Sequence, residues 1–312
     1  MAQRRYAVVG TGAIGGYYGA CLQRAGFEVH FLLRSDYDWV REQGLRIDSV
    51  YGDFVLSQVN AYVDPAAMPQ CDGVIIALKS TQNAQLVQIL PPLIGPHTTI
   101  VLLQNGLGCE TAIASQFPDN PLLGGLCFVC ANKVGPGHIR HLDYQAITLG
   151  QYAPDYVPCG ITPELEAIAQ DFAAAKIEIH PDGHLLQSRW RKLVWNIPYN
   201  GLSVILDATT DALMAHPPTK QLVTEIMQEV QQGAAAWDCE IADAFIEQML
   251  THTEQMTPYL TSMKLDAQQG RPLEHEAIVG EPWRWAAARG VDLPRIGMIY
   301  RQLAFCDRLS QA

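Results

Sequence analysis

Residues 6–15 read Tyr6-Ala7-Val8-Val9-Gly10-Thr11-Gly12-Ala13-Ile14-Gly15, an apolar strand running straight into a Gly-X-Gly-X-X-Gly turn. Gly16-Tyr17-Tyr18-Gly19-Ala20 follows as a small-residue run suited to a helix. Between strand and helix each glycine has a physical task. Gly10 allows the tight turn, Gly12 lets backbone N–H groups approach a pyrophosphate, and Gly15 lets the helix press on the sheet. The helix N-terminus then turns its partial positive charge toward the phosphates. Residues Gly10, Thr11, Gly12, Ala13, Ile14 and Gly15 are therefore read as a dinucleotide-binding loop rather than a glycine-rich surface turn.

The second strand, residues 28–33, decides which dinucleotide. A site for NAD usually carries an acid about 20 residues past the glycines, where it holds the ribose 2′-hydroxyl. This strand ends instead in Leu32-Leu33-Arg34-Ser35. Arg34 offers a planar fork matched to a 2′-phosphate, and Ser35 a hydroxyl donor. Asp36 is the feature against NADP, and it is read as the cap of the helix that follows. NADP(H) is the expected cofactor.

With 312 residues, 48% of them hydrophobic, the chain has material for two cores. Its net charge of −11 and lack of a basic run argue against nucleic acid or an anionic membrane surface as partner. No apolar stretch reaches the ~18 residues of a membrane span, and no signal-peptide pattern opens the chain, so a cytoplasmic protein is expected. Cys127-Phe128-Val129-Cys130 matches Cys-X-X-Cys, but strand alternation sets the two thiols on opposite faces, as buried apolar groups. His180 and His184 have ligand-like spacing, but Pro181-Asp182-Gly183 interrupts any helix between them, so no metal site is expected.

The first half alternates strands (5–9, 28–33, 73–78, 99–103) with helices (13–25, 81–90). An inserted hairpin falls around Tyr51-Gly52-Asp53. Strands near 122–131, 137–142 and 146–150, a helix over 163–175 and a strand at 176–180 complete it. Beyond Pro181-Asp182-Gly183 only helical periodicity is found, broken at Pro198, Pro217-Pro218, Pro258, Pro272 and Pro294. The fold class is an α/β Rossmann-type doubly wound sheet followed by an all-helical C-terminal domain. The nucleotide domain is set at 1–182 and the helical substrate domain at 183–312.

Ligands of such sheets lie outside the carboxyl ends of the strands. Two of those ends carry polar groups, Lys79-Ser80-Thr81 and Gln104-Asn105-Gly106. Lys79 suits a phosphate or carboxylate, and Asn105 suits cofactor and substrate alike, although Asn-Gly is also a common turn. In the helical half, Trp190, Leu193, Val194 and Ile197 make one apolar face of a helix. Lys192, Asn196 and Asn200 form a separate stripe flanked by Trp195 and Tyr199. On a largely buried helix such polar groups need partners, which a substrate cleft supplies. Pro198 should kink that helix before Asn200. Farther on, Ser262 is a neutral donor suited to a carboxylate, and Glu274 is placed just inside a helix after Pro272.

Gly10-Thr11-Gly12-Ala13-Ile14-Gly15, Leu32-Leu33-Arg34, Leu78-Lys79, Gln104-Asn105-Gly106, Trp190-Arg191-Lys192 with Asn196 and Asn200, Thr261-Ser262-Met263 and Glu274 resemble, in order, the ketopantoate reductases (2-dehydropantoate 2-reductases). The resemblance spans essentially the whole chain. It implies NADPH-dependent reduction of ketopantoate to D-pantoate on the way to pantothenate and coenzyme A. By that resemblance Lys192 is the general acid and Glu274 holds the substrate hydroxyl. Asn105, Asn196, Asn200 and Ser262 position substrate groups, and Lys79 contacts cofactor and substrate. Two positions depart from the family's pattern: Val279 stands where an amide-bearing residue is usual, and Tyr259 where an asparagine is common. A reductase of another small 2-oxo or imino acid, or a non-enzymatic NADP(H) sensor, are the alternative readings. The expected partner is a small-molecule 2-oxo acid, and the helical half leaves room for a homodimer.

Overall fold

The computed structural model describes residues 3–256, 258 and 260–310. Its contacts divide into two compact units, Met1–Gln104 with Glu110–Leu185, and Asn105–Cys109 with Leu186–Ala312.

The first unit is built on one ten-stranded sheet. Its strands are β1 (Arg5–Val9), β2 (Glu28–Leu32), β3 (Leu45–Ser49), β4 (Phe54–Leu56), β5 (Asn60–Tyr62), β6 (Cys71–Ile76), β7 (Ile94–Leu102), β8 (Leu122–Gly135), β9 (His138–Gln151) and β10 (Ile179–Asp182). The order is β4-β3-β9-β8-β7-β6-β1-β2-β5, with β10 joining β9. From β8 to β5 neighbouring strands run parallel; β8 and β9 are antiparallel. Strand order reverses at the β1–β6 pair, since β2 and β5 extend to one side and β7 and β8 to the other. That reversal is where an open α/β sheet leaves a crevice for a ligand. Val8, Ile75 and Val101 on these inner strands are fully buried, as parallel strands covered on both faces require.

Between and after the strands lie α1 (Ala13–Arg24), α2 (Tyr37–Gln43), α3 (Leu86–Ile89), α4 (Cys109–Ala114) and α5 (Pro163–Ala174). The helix expected over 81–90 is a 3-10 segment, Ser80–Gln85, followed by the single turn of α3. The hairpin foreseen around Gly52 is the antiparallel β3–β4 pair, with Gly52 at φ 108°. The two strands expected within 137–150 are one strand, β9, whose register shifts near Tyr144, a residue at φ 54°. Cys127 and Cys130 lie outside any disulfide and are half-buried rather than fully buried.

The second unit is helical: α6 (Leu185–Ile205), α7 (Thr210–Ala215), α8 (Pro217–Ala235), α9 (Asp243–Gln255), α10 (Ser262–Gln268), α11 (Glu281–Ala288) and α12 (Pro294–Ser310). Trp190, Leu193, Val194 and Ile197 of α6 are buried, the face their spacing predicted. The helix runs on through Pro198 to Ile205. A five-residue π-helical turn, Glu276–Gly280, leads directly into α11. No helix among the described residues is long and apolar enough to cross a membrane.

Candidate active site

In the first unit the glycine loop closes the β1–β6 reversal. Gly10 has φ +97°, and a Cβ there would lie 2.5 Å from the Leu78 nitrogen and 2.8 Å from the Ala77 carbonyl carbon. Only a residue without a side chain lets the turn press on the chain leaving β6. A Cβ on Gly15 would meet the Gly10 carbonyl oxygen, with Ala77 Cβ at 2.9 Å and Val8 Cγ1 at 3.0 Å, so α1 sits hard on the sheet. A Cβ on Gly12 would meet nothing within 4 Å. Two glycines are thus spent on packing, and the middle one faces open space, which fits backbone approach to a pyrophosphate. Thr11 ties the loop down, its hydroxyl donating to the Leu32 carbonyl at 2.9 Å.

Leu32 is also the last residue of β2, so the same bond fixes the strand end that carries Arg34. The Arg34 guanidinium is exposed and donates to the Gln85 side chain, beyond the Lys79 loop. Gln104 braces that loop, donating to the Leu78 carbonyl at 2.7 Å and to Asn83 Oδ1 at 2.6 Å. Lys79 is half-buried at the start of the 3-10 segment. Asp36 does not do what the sequence suggested. It occupies the N-cap position of α2 without a side-chain cap bond. Its carboxylate instead accepts from the Gly137 N–H at 2.9 Å and pairs with Lys133 Nζ at 2.5 Å. Both partners belong to the β8–β9 hairpin, which sequence spacing could not bring to this point. Burial would raise the Asp36 carboxyl, but Lys133 and the Gly137 N–H outweigh it and hold it below the usual carboxylate range.

In the second unit, α6 carries the lysine stripe. Lys192 is half-buried, while Asn196 and Asn200 are 4% and 3% exposed, so the row is not a solvated polar face. The flanking aromatics are held by their own bonds, Trp195 Nε1 donating to Thr253 Oγ1 at 3.1 Å and the Tyr199 hydroxyl to Met214 Sδ at 3.0 Å. Burial pushes the Tyr199 phenol up to about 12, so it stays protonated at neutral pH.

Asn105 belongs to this unit, and the reason is local. Gly106 has φ +98°, and a Cβ on it would strike the Ala277 carbonyl, with the carbonyl carbon at 2.5 Å and Ala277 Cβ at 2.7 Å. The Leu107 N–H then donates to that same carbonyl at 2.9 Å. The Asn-Gly turn is therefore docked on the π-helical segment three residues beyond Glu274. Glu274 itself is a half-buried turn residue rather than part of the helix interior; its carbonyl accepts from the Ile278 N–H at 3.1 Å. Two groups fix this segment that the sequence gave no signal for. Asp307 of α12 accepts from the Leu273 N–H at 2.7 Å. Glu276 accepts from the Tyr300 hydroxyl at 2.6 Å and from Arg284 at 2.7 Å.

Ser262 is exposed at the first position of α10, its hydroxyl not consumed by the core. Its neighbour Thr261 does the structural work, fully buried, capping α10 through the Lys264 N–H at 3.2 Å and sharing a 2.8 Å bond with Ser203 of α6. Val279 is fully buried and forms part of this unit's core. Tyr259 lies outside the described residues.

Comparison with known proteins agrees along the whole chain. The family described as "Ketopantoate reductase PanE/ApbA" matches residues 6–154, and its C-terminal family matches residues 184–306. The 2-dehydropantoate 2-reductase of Nostoc sp. is 54% identical over 307 residues, covering 98% of this chain and 96% of the relative. The crystal structure of 2-dehydropantoate 2-reductase from Geobacter metallireducens superposes with a TM-score of 0.92 at 39% identity, covering 96% of this chain and 99% of that one. A D-mandelate dehydrogenase solved with NADH and anilino(oxo)acetate shares the fold at 21% identity and a TM-score of 0.87, covering 99% of this chain and 100% of that one.

Proposed function

This chain belongs to the ketopantoate reductase family, and from that premise we propose that it reduces 2-dehydropantoate to D-pantoate with NADPH. The observation that carries the reading is the polar row Lys192–Asn196–Asn200 on an otherwise buried helix, in the same unit that docks Asn105 against the Glu274 segment. We assign residues 1–182, apart from the segment Asn105–Cys109 that packs with the helical unit, to nucleotide binding, and 183–312 together with that segment to the 2-oxo acid.

Gly10, Thr11, Gly12, Ala13, Ile14 and Gly15 would cradle the pyrophosphate, with Arg34 at the 2′-phosphate and Lys79 near the remaining anionic groups. Bound NADPH supplies the hydride that the 2-oxo carbon accepts. As that carbon is reduced its oxygen gains negative charge, and the Lys192 ammonium stabilises this charge and gives up the proton that completes the hydroxyl. Glu274 accepts a hydrogen bond from the substrate hydroxyl. Asn105, Asn196, Asn200 and Ser262 offer neutral donors to the carboxylate and carbonyl without adding charge.

A second reading, reduction of a different small 2-oxo acid by the same groups, draws support from the apolar, buried Val279. Purified protein is mixed with NADPH and a panel of 2-oxo acids including ketopantoate, and loss of nicotinamide absorbance is followed. Fastest turnover of ketopantoate is expected; preference for another acid would move the assignment to the second reading, and no turnover would overturn both. We further propose a homodimer. Met298, Phe305 and Leu309 stand 47%, 62% and 60% exposed along one side of α12, an apolar face suited to a second copy. Sedimentation velocity tests it, and a monomer at working concentration would refute it.

A further inference from the structure

Asp36 poses a problem for a site that takes a 2′-phosphate. It lies two residues past Arg34, so its Cα is within roughly 8 Å of the arginine's. The Tyr37 N–H donates to the Arg34 carbonyl at 3.2 Å, which confines all of these residues to one turn. A free carboxylate in that turn would repel a phosphate that Arg34 holds, an effect that salt screens over ~10 Å. The structure shows where this charge is compensated. Asp36 is 5% exposed. One of its oxygens takes both the Lys133 ammonium at 2.5 Å and the Gly137 N–H at 2.9 Å, and the other accepts from the Ser35 hydroxyl at 3.1 Å.

Resting on the NADPH reading, we propose that Lys133 is a specificity-determining residue for the nucleotide: by pairing with Asp36 it removes from the surroundings of Arg34 the negative charge that would repel a 2′-phosphate. Lys133 need not touch the nucleotide. The pair is neutral as a unit, and its carboxylate is turned toward the hairpin instead of being presented to a ribose hydroxyl, the task such an acid performs in NAD sites. Removing the ammonium alone leaves a buried carboxylate uncompensated; removing the carboxyl charge alone leaves a surplus cation beside the site.

The two halves of the pair therefore predict opposite signs, read without turnover by titrating the protein calorimetrically with 2′,5′-ADP and with 5′-AMP. K133M is expected to weaken 2′,5′-ADP about five- to tenfold while 5′-AMP changes less than about twofold, and added salt should shrink the difference. D36N, which keeps the size of the side chain, should tighten 2′,5′-ADP severalfold with 5′-AMP unchanged, and it carries the test if K133M does not fold. Equal changes for both fragments, or D36N weakening 2′,5′-ADP, would overturn the proposal and leave the pair a purely structural clasp. Wild-type protein that fails to prefer 2′,5′-ADP over 5′-AMP would instead sink the NADPH reading itself, and this proposal with it.

Discussion

Replacing Gly106 by alanine isolates the docking that places Asn105. At φ +98° an L-residue is strained by about 1–3 kcal/mol, and the added methyl lands on the Ala277 carbonyl, 2.5 Å from its carbon. That contact must open by roughly 1 Å to reach ordinary separation, which also breaks the 2.9 Å bond from Leu107 to Ala277, worth about 1 kcal/mol. The loop therefore moves and carries Asn105 with it. A displacement of about 1 Å in a positioning group costs on the order of 10²-fold in turnover. Steady-state NADPH oxidation with ketopantoate should show kcat/KM reduced by about that factor, while 2′,5′-ADP binding to the glycine loop stays unchanged. Gly52, at φ +108° with nothing within 4 Å of its would-be Cβ, is the matched control, strained but uncrowded and remote in sequence from every candidate residue. G52A should lose stability and keep its rate. Turnover by G106A within twofold of wild type would refute the positioning argument.

K192A should lower kcat about 10²–10³-fold with 2′,5′-ADP affinity intact; a parallel loss of nucleotide binding would contradict its role as proton donor. R34D should reduce the NADPH-to-NADH ratio of kcat/KM by roughly tenfold or more, and an unchanged ratio would mean the 2′-phosphate is held elsewhere. The Asp36 carboxyl is held below its usual value in the folded chain, although burial alone would raise it, because Lys133 and Gly137 favour its charged form. Its contribution to stability is thus present above the unfolded value of about 3.9 and is lost as pH falls through the lower folded value. In urea unfolding, D36N should be less stable than wild type at neutral pH, with the gap closing below about pH 4; a gap that widens in acid would reverse the sign of the argument.

Features encoded over a few neighbouring residues were legible without a structure. The strand–glycine–helix unit at 6–20 follows from local sterics, and the buried face of α6 from the period of a helix, because both depend only on residues within a turn or two of one another. The fates of individual polar groups were not legible in the same way. Asp36 reads as a helix cap until a hairpin glycine 101 residues away claims its carboxylate. Asn105 reads as a turn at the end of a nucleotide-domain strand, yet its segment packs with the helical unit because the Ala277 carbonyl fills the space over Gly106. Ser262 and Thr261 are equivalent donors on paper, and only the packing of Ser203 decides which is buried and which faces solvent. Chain-local periodicity and turn chemistry set the elements and their chemical inventory. Which side chain is consumed as structure and which is left for a ligand depends on long-range partners, and those exist only once the chain has folded.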